Sequence, residues 1–469
     1  MRDPILTPID GVPNLLLGSY DLSDLGYAAR EVVIEGTASS YAPAGELAAD
    51  GRWTVTPAAR AEYATRAVTV VPTDAARFNG TVVVEWLNVS GGLDAPAVWL
   101  MAHRELARAG YAYVGVSAQR VGIEGGPGMV GDFSLKTVDP QRYGRLNHPG
   151  DEFSFDIFGQ LGTVVRHRSA ELLGGLHPER VLAVGESQSA MFLTTYLDAV
   201  APRAGVFDGF LVHSRFGPAA PLDGGSLLDP ATVARLPLPR FRTDLRVPVL
   251  AVITETDLLG GVLPGYFPAR QPAGEYLRVW EIPGAAHADN YTIQGAFLDN
   301  GLVPVEELAE AYRPTSMLMG RQLAHFRNFA PQHHYVLHAA IARLHDWVGT
   351  GRPAPEAPPI DLTDGDRPAI VTDHHGVACG GLRTPWVDVP LAVTSGSNAE
   401  ADRMASLFGS GTPFDADHLA RLYPGGPTEY LTAFTAALDR AIDAGFIVSA
   451  DRPEILELAA LTARRHFAA

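Results

Sequence analysis

Over the first two-thirds of the chain, short continuous apolar runs alternate with stretches whose apolar residues recur every three to four positions. TVVVEWLN (81–88), YAYVGVSA (111–118), RVLAVGES (180–187), FDGFLVHS (207–214), RVPVLAVITETD (246–257) and LRVWEIPG (277–284) belong to the first kind. They lack polar/apolar alternation, so each predicts a strand buried on both faces. APAVWLMAHRELARAG (95–110), which stops at Gly110, SFDIFGQLGTVVRHRSAELLGG (154–175) and AMFLTTYLDAV (190–200) carry helical spacing. Strand and helix in alternation predict an α/β fold, a mostly parallel sheet covered by helices on each face. REVVIEGTASSY (30–41) and RAVTVVPT (66–73) read as edge strands.

Three stretches break the pattern: 119–152, rich in Gly and Pro, 215–245, and 288–331. Irregular segments of this length inside a compact domain are typically lids or binding loops. A further helix (333–351) runs into GRPAPEAPPIDL, the best candidate boundary. The reading is therefore a core over 1–354 with three insertions, and a mostly helical C-terminal extension over 355–469 packed on it. No repeat or low-complexity tract is present.

Composition narrows the function classes. Apolar residues make up 46% of 469 and charged residues 19%, an ordinary globular balance. A formal net charge of −17 argues against nucleic acid and anionic membrane as partners. No apolar run is long enough for a membrane span, and the N-terminus shows no leader pattern, so neither is expected. Cys379 is the only cysteine, which fits a reducing compartment; a cytoplasmic location is the expectation.

The candidate chemistry centres on GESQS (185–189), where an apolar strand passes directly into a helix. A G-x-S-x-G turn places a serine at the tip of such a junction with its oxygen exposed, and here Ser187 holds that place and Ser189 the position of the last Gly. A serine hydroxyl needs a base, and the base needs a carboxylate to fix its tautomer. Asp257 stands at the end of PVLAVITETD, and His287 lies in the small-residue loop after LRVWEIPG. Parallel strands end on one side of the sheet, so Ser187, Asp257 and His287 would converge there. Glu255, two residues before Asp257, is the alternative acid. The oxyanion donors would be the backbone N–H of Gln188 and one from WLNVSGG, either Ser90 or Val89.

Other candidates are weaker. His334 and His338 are one helical turn apart but lack a third metal ligand, and read as solvated helix histidines. His374 and His375 near Cys379 lack spaced partners for zinc, so no metal is expected. GGPG (125–128) is not followed by the Lys of a phosphate loop. His213 and Arg215 either reach the rim of the site or anchor the next loop. Arg142, Tyr143 and Asp151 have no assignable role.

Taken with VGESQSA, PVLAVITETD, EIPGAAHADNY, FNGTVVVEWLNVSGG and CGGLRTPWVDVP, the chain resembles the α/β-hydrolase superfamily, and within it a bacterial group of α/β-hydrolase domain proteins. The resembling segments span nearly the whole chain. The resemblance implies a mainly parallel eight-stranded sheet, a serine esterase mechanism and no cofactor. It carries the nucleophile to Ser187, the acid to Asp257 and the base to His287; Ser189 departs from the usual Gly. The expected function is a serine-dependent carboxylic ester hydrolase working through an acyl-enzyme. The long insertions point to a covered pocket, hence to a bulky or hydrophobic ester or lactone as the small-molecule partner. An acyltransferase or peptidase with the same triad, and a non-catalytic binding protein on the same fold, are the alternatives. Dehalogenases and epoxide hydrolases of this fold need Asp where residue 187 is Ser.

Overall fold

The computed structural model describes residues 3–468 except 262 and 399–401. Among the described residues the main sheet has nine strands: β1 (Ile5–Ile9), β2 (Tyr27–Pro43), β3 (Val55–Pro72), β4 (Thr81–Trp86), β5 (Ala112–Val116), β6 (Arg180–Glu186), β7 (Gly209–His213), β8 (Val249–Thr254) and β9 (Leu277–Ile282). Their order is β1-β2-β3-β5-β4-β6-β7-β8-β9. Pairings from β5 across to β9 are parallel, whereas β1, β2 and β3 join antiparallel.

The parallel strands are the continuous apolar runs, and their crossovers are the helical stretches. Helix α1 (Ala97–Arg108) connects β4 to β5, α2 (Ser154–His167) leads into β6, and α3 (Gln188–Thr195) leaves it. Successive side chains of a strand point to opposite faces. Accordingly Val82, Val84 and Trp86 enter one core with the aromatic residues of α2 and α3, while Val83 enters the other with Trp99 of α1. Glu85 is the charged residue inside this apolar strand. Its buried carboxylate accepts the amides of Val98 and Trp99 at the start of α1, together with the Tyr113 hydroxyl. It thus satisfies orphan donors of the helix, and burial pushes the carboxyl up to about 8.

Two expectations change here. The sheet has nine strands rather than eight, because Ile5–Ile9 adds a strand outside β2. That segment contains Pro8, which an edge strand tolerates since one row of its backbone groups faces away from the sheet. Consequently 30–41 is not an edge, and 66–72 is not one either, since β3 pairs with β5 on its other side; the two belong to a long hairpin with strands of 17 and 18 residues.

Two further helices complete what matters for the site: α4 (Glu255–Leu259), a single turn after β8, and α5 (Gln332–Thr350) after the third insertion. Described elements after residue 355 contact these helices. Helices α6 (Gly426–Asp443) and α7 (Arg452–Ala468) share an apolar cluster with Tyr335 of α5. Asp451 binds both Arg108 of α1 and His338 of α5. The reading of His334 and His338 as solvated is overturned. Both are buried, His334 stacked on Tyr291 with ring centroids 3.8 Å apart and His338 bonded to Asp451 at 2.8 Å. The half of the helix that carries them, Gln332–Ile341, is buried at every position, so no solvated face is left for them there. No helix among the described residues is long and apolar enough to cross a membrane.

Candidate active site

The junction of β6 and α3 is a strained turn. Ser187 has φ 57° and ψ −119°, one of three described non-glycine residues with positive φ. Such a conformation costs of order 1–3 kcal/mol and persists only where its surroundings over-determine it. Three contacts do so. The Ser187 amide donates to His213 O of β7 at 3.0 Å. The Ser189 hydroxyl donates to Glu186 O at 2.8 Å and accepts from Glu186 N at 3.0 Å. At Gly185 a Cβ would lie 3.0 Å from Ser189 O, a tight approach that would make the turn give by a few tenths of an ångström. The departure at position 189 is therefore a gain in hydrogen bonds across the turn.

Beyond β8 the chain turns at once into α4. Thr254 is its N-cap, and the Asp257 carboxylate reaches back so that Oδ2 accepts Thr254 N at 2.8 Å and Thr254 Oγ1 at 2.7 Å. Oδ1 is left for His287, whose Nδ1 lies 2.5 Å away. The His287 loop is fixed by its own amide, which donates to Thr256 Oγ1 at 3.1 Å, and the Phe216 ring packs on the imidazole at 5.2 Å. Glu255 is not placed at this imidazole. Its oxygens accept Gly284 N at 2.6 Å, Gly396 N at 2.8 Å and Ser395 Oγ at 3.0 Å. Extended geometry would have put 255 and 257 on one face, but the helix begins at 255 and swings them apart.

The loop after β4 closes the other side. The Asn88 side chain donates to Glu186 O at 3.0 Å and to Glu186 Oε2 at 3.2 Å, and its Oδ1 accepts Ser90 N at 2.8 Å. The Ser90 amide is thereby spent. Among the described residues the Val89 amide is held only by the Gln188 side chain at 3.4 Å, a long and displaceable contact. Of the two expected donors from this loop, Val89 is the one within reach of release. The Gln188 amide sits at the first position of α3, where intrahelical partners are absent.

Glu186 was missed in the sequence. Its Oε1 lies 3.3 Å from His287 Nε2, the nitrogen turned away from Asp257. Burial, offset in part by His287, pushes the Glu186 carboxyl up to about 7. Burial alone would lower the His287 imidazole; Asp257 and Glu186 outweigh it and raise it. Among the described residues no hydrogen bond joins Ser187 Oγ to His287.

His213 and Arg215 anchor structure rather than line the rim. His213 Nε2 meets His333 Nε2 at 2.8 Å, and burial holds both rings below the ordinary range, His333 at about 4. Arg215 donates to the carbonyls of Phe216, Gly217 and Pro239 and faces the rings of Phe241 and Tyr266, pinning the second insertion. Arg142 and Tyr143 donate to Glu31, which also pairs with buried Arg66, tying the first insertion to the sheet. A cavity of about 300 Å³ opens beside Val89 and Gln188, walled by both insertions through Arg120, Glu152, Leu227 and Leu228. No group of three or more potential metal ligands occurs among the described residues.

A family model described as alpha/beta hydrolase domain matches residues 3–457. No curated protein matches the sequence. Solved structures similar to the chain include an esterase from Rhizomucor miehei, 11% identical over 68% of this chain and 85% of that one, TM-score 0.33. Acetyl xylan esterase 1 from Thermoanaerobacterium sp. JW/SL YS485 is 13% identical over 61% and 84%, TM-score 0.31. A thermostable esterase from Pseudomonas putida ECU1011 is 14% identical over 51% and 66%, TM-score 0.26. Likeness at this level bears on neither reaction nor substrate.

Proposed function

The chain belongs to the alpha/beta hydrolase domain family, and from that premise we propose that it hydrolyses carboxylic esters through an acyl-enzyme on Ser187. The observation that carries this reading is the pairing of His287 with Asp257 at the rim where Ser187 is held at positive φ. Asp257 accepts from Nδ1–H and so leaves the Nε2 lone pair as the base. His287 takes the Ser187 proton, and the serine oxygen attacks the acyl carbon. The amides of Gln188 and Val89 receive the oxyanion; Val89 first releases the Gln188 side chain. The tetrahedral adduct expels the alcohol, which leaves with the proton from the imidazolium. Water then gives a proton to the same nitrogen, attacks the acyl-enzyme and releases the acid.

The substrate we propose is an ester or lactone of moderate bulk. A cavity of about 300 Å³ is at the low end of the ligand-binding range. Its walls carry Arg120 and Glu152 as well as Leu227 and Leu228, which favours an ester with polar groups beside an apolar portion. A panel of esters varied in acyl and alcohol size, run with Ser187→Ala as the blank, tests this. Turnover that vanishes in the variant supports the reading; equal turnover in both proteins contradicts it.

A further inference from the structure

The contact between Glu186 and His287 has no part in the steps above, yet it occupies the nitrogen those steps require. Nδ1 of His287 faces Asp257, so in the neutral ring Nε2 presents a lone pair. A carboxylate oxygen 3.3 Å from that lone pair is repelled unless a proton resides on one of the two. Glu186 is also held in place. Its other oxygen is fixed by Asn88, and its backbone N and O are both fixed by the Ser189 hydroxyl. We propose, resting on the reading of Ser187 and His287 given above, that Glu186 is a positioning residue: it shares one proton with Nε2 of His287 in the resting protein, and Ser187 gains its base only when that proton has left.

The other groups near the pair do not supply this effect. Asp257, from α4, is committed to Nδ1 and to Thr254. Glu85, from β4, is within Coulombic reach of Glu186 but binds the start of α1. His213 from β7 and His333 from α5 bond to each other, and burial keeps them neutral. Asn88 is uncharged, and the Phe216 ring covers the imidazole without a polar atom. The direction then follows. A negative charge at 186 favours the imidazolium, which cannot accept the serine proton. The pH at which the base becomes available therefore lies higher than Asp257 alone would set it. Removing the charge moves that midpoint toward acid.

The test is the rate of fluorophosphonate labelling against pH for the wild-type protein, Glu186→Gln and Glu186→Met. The expected result is a midpoint displaced toward acid by about one pH unit or more in both variants. A residue that only supported the fold would lower labelling at every pH without moving the midpoint; an unmoved midpoint in both variants overturns the proposal. Nitrogen-15 NMR titration of the imidazole in Ser187→Ala protein, which leaves position 186 native, needs neither activity nor a change at the pair. Two coupled proton steps at His287 are expected, and a single independent step overturns the proposal. If the wild-type protein takes no label at all, the serine reading fails, and the titration alone still decides whether Glu186 and His287 share a proton.

Discussion

Nδ1 of His287 lies 2.5 Å from Oδ1 of Asp257, while Oδ2 of the same carboxylate is held by the amide and hydroxyl of Thr254. The acid is thus oriented from the end of its own strand before it meets the imidazole. Three elements distant in sequence, β6, β8 and the loop after β9, deliver their ends to one rim because parallel strands all finish on the same side.

Asp257→Asn is expected to lower kcat by about 10³- to 10⁴-fold with the fold intact, since an amide no longer fixes the tautomer that exposes Nε2. Glu255→Gln should behave the opposite way. It weakens buried bonds to Gly284, Ser395 and Gly396 and should cost about 1–3 kcal/mol of stability, with a much smaller loss of kcat. Ester kinetics beside urea unfolding separate the two; a larger kcat loss in Glu255→Gln than in Asp257→Asn would reverse the assignment of the acid.

Ser189→Ala removes both bonds that the hydroxyl makes to Glu186 across the turn and takes the partner from a partly buried amide. The expected cost is about 1–3 kcal/mol, read as a lower urea midpoint with an unchanged slope. An unchanged midpoint would mean that those bonds do not hold the turn.

Acid should loosen the C-terminal layer through Asp451. Burial works to raise this carboxyl, but His338 and Arg108 outweigh burial and hold it well below the ordinary carboxylate range. A depressed folded value contributes stability above the unfolded value of about 4, and that contribution is lost as pH falls below it. Thermal unfolding of the wild-type protein should therefore show a steeper acid limb than Asp451→Asn. Parallel limbs in the two proteins would contradict this.

The parallel half of the sheet was legible because buried parallel strands are continuous apolar runs, and the sequence singled out Ser187, Asp257 and His287 because they stand where those runs stop. Ile5–Ile9 was not: a five-residue edge strand containing a proline has no periodicity to read. Glu186 escaped notice because it occupies the variable place between Gly185 and Ser187, and only the approach of a loop a hundred residues on gives its carboxylate a partner. The sequence favours Asp257 over Glu255 because Asp257 falls where the strand should give way to a loop; the strand in fact ends three residues earlier, at Thr254, and it is the helix starting at Glu255 that separates the two carboxylates. The role of Ser395 and Gly396 in holding the Glu255 turn was likewise invisible, because contacts between segments 140 residues apart leave no local pattern.

The central claim is that Ser187 is the nucleophile served by His287. Labelling of the wild-type protein, Ser187→Ala and His287→Ala with a fluorophosphonate probe, followed by mass spectrometry of the labelled peptide, tests it most directly. The account predicts a single adduct on Ser187 in the wild-type protein, none in Ser187→Ala, and labelling slowed by about 10³-fold or more in His287→Ala. An adduct on another residue, or labelling that survives Ser187→Ala, would contradict it.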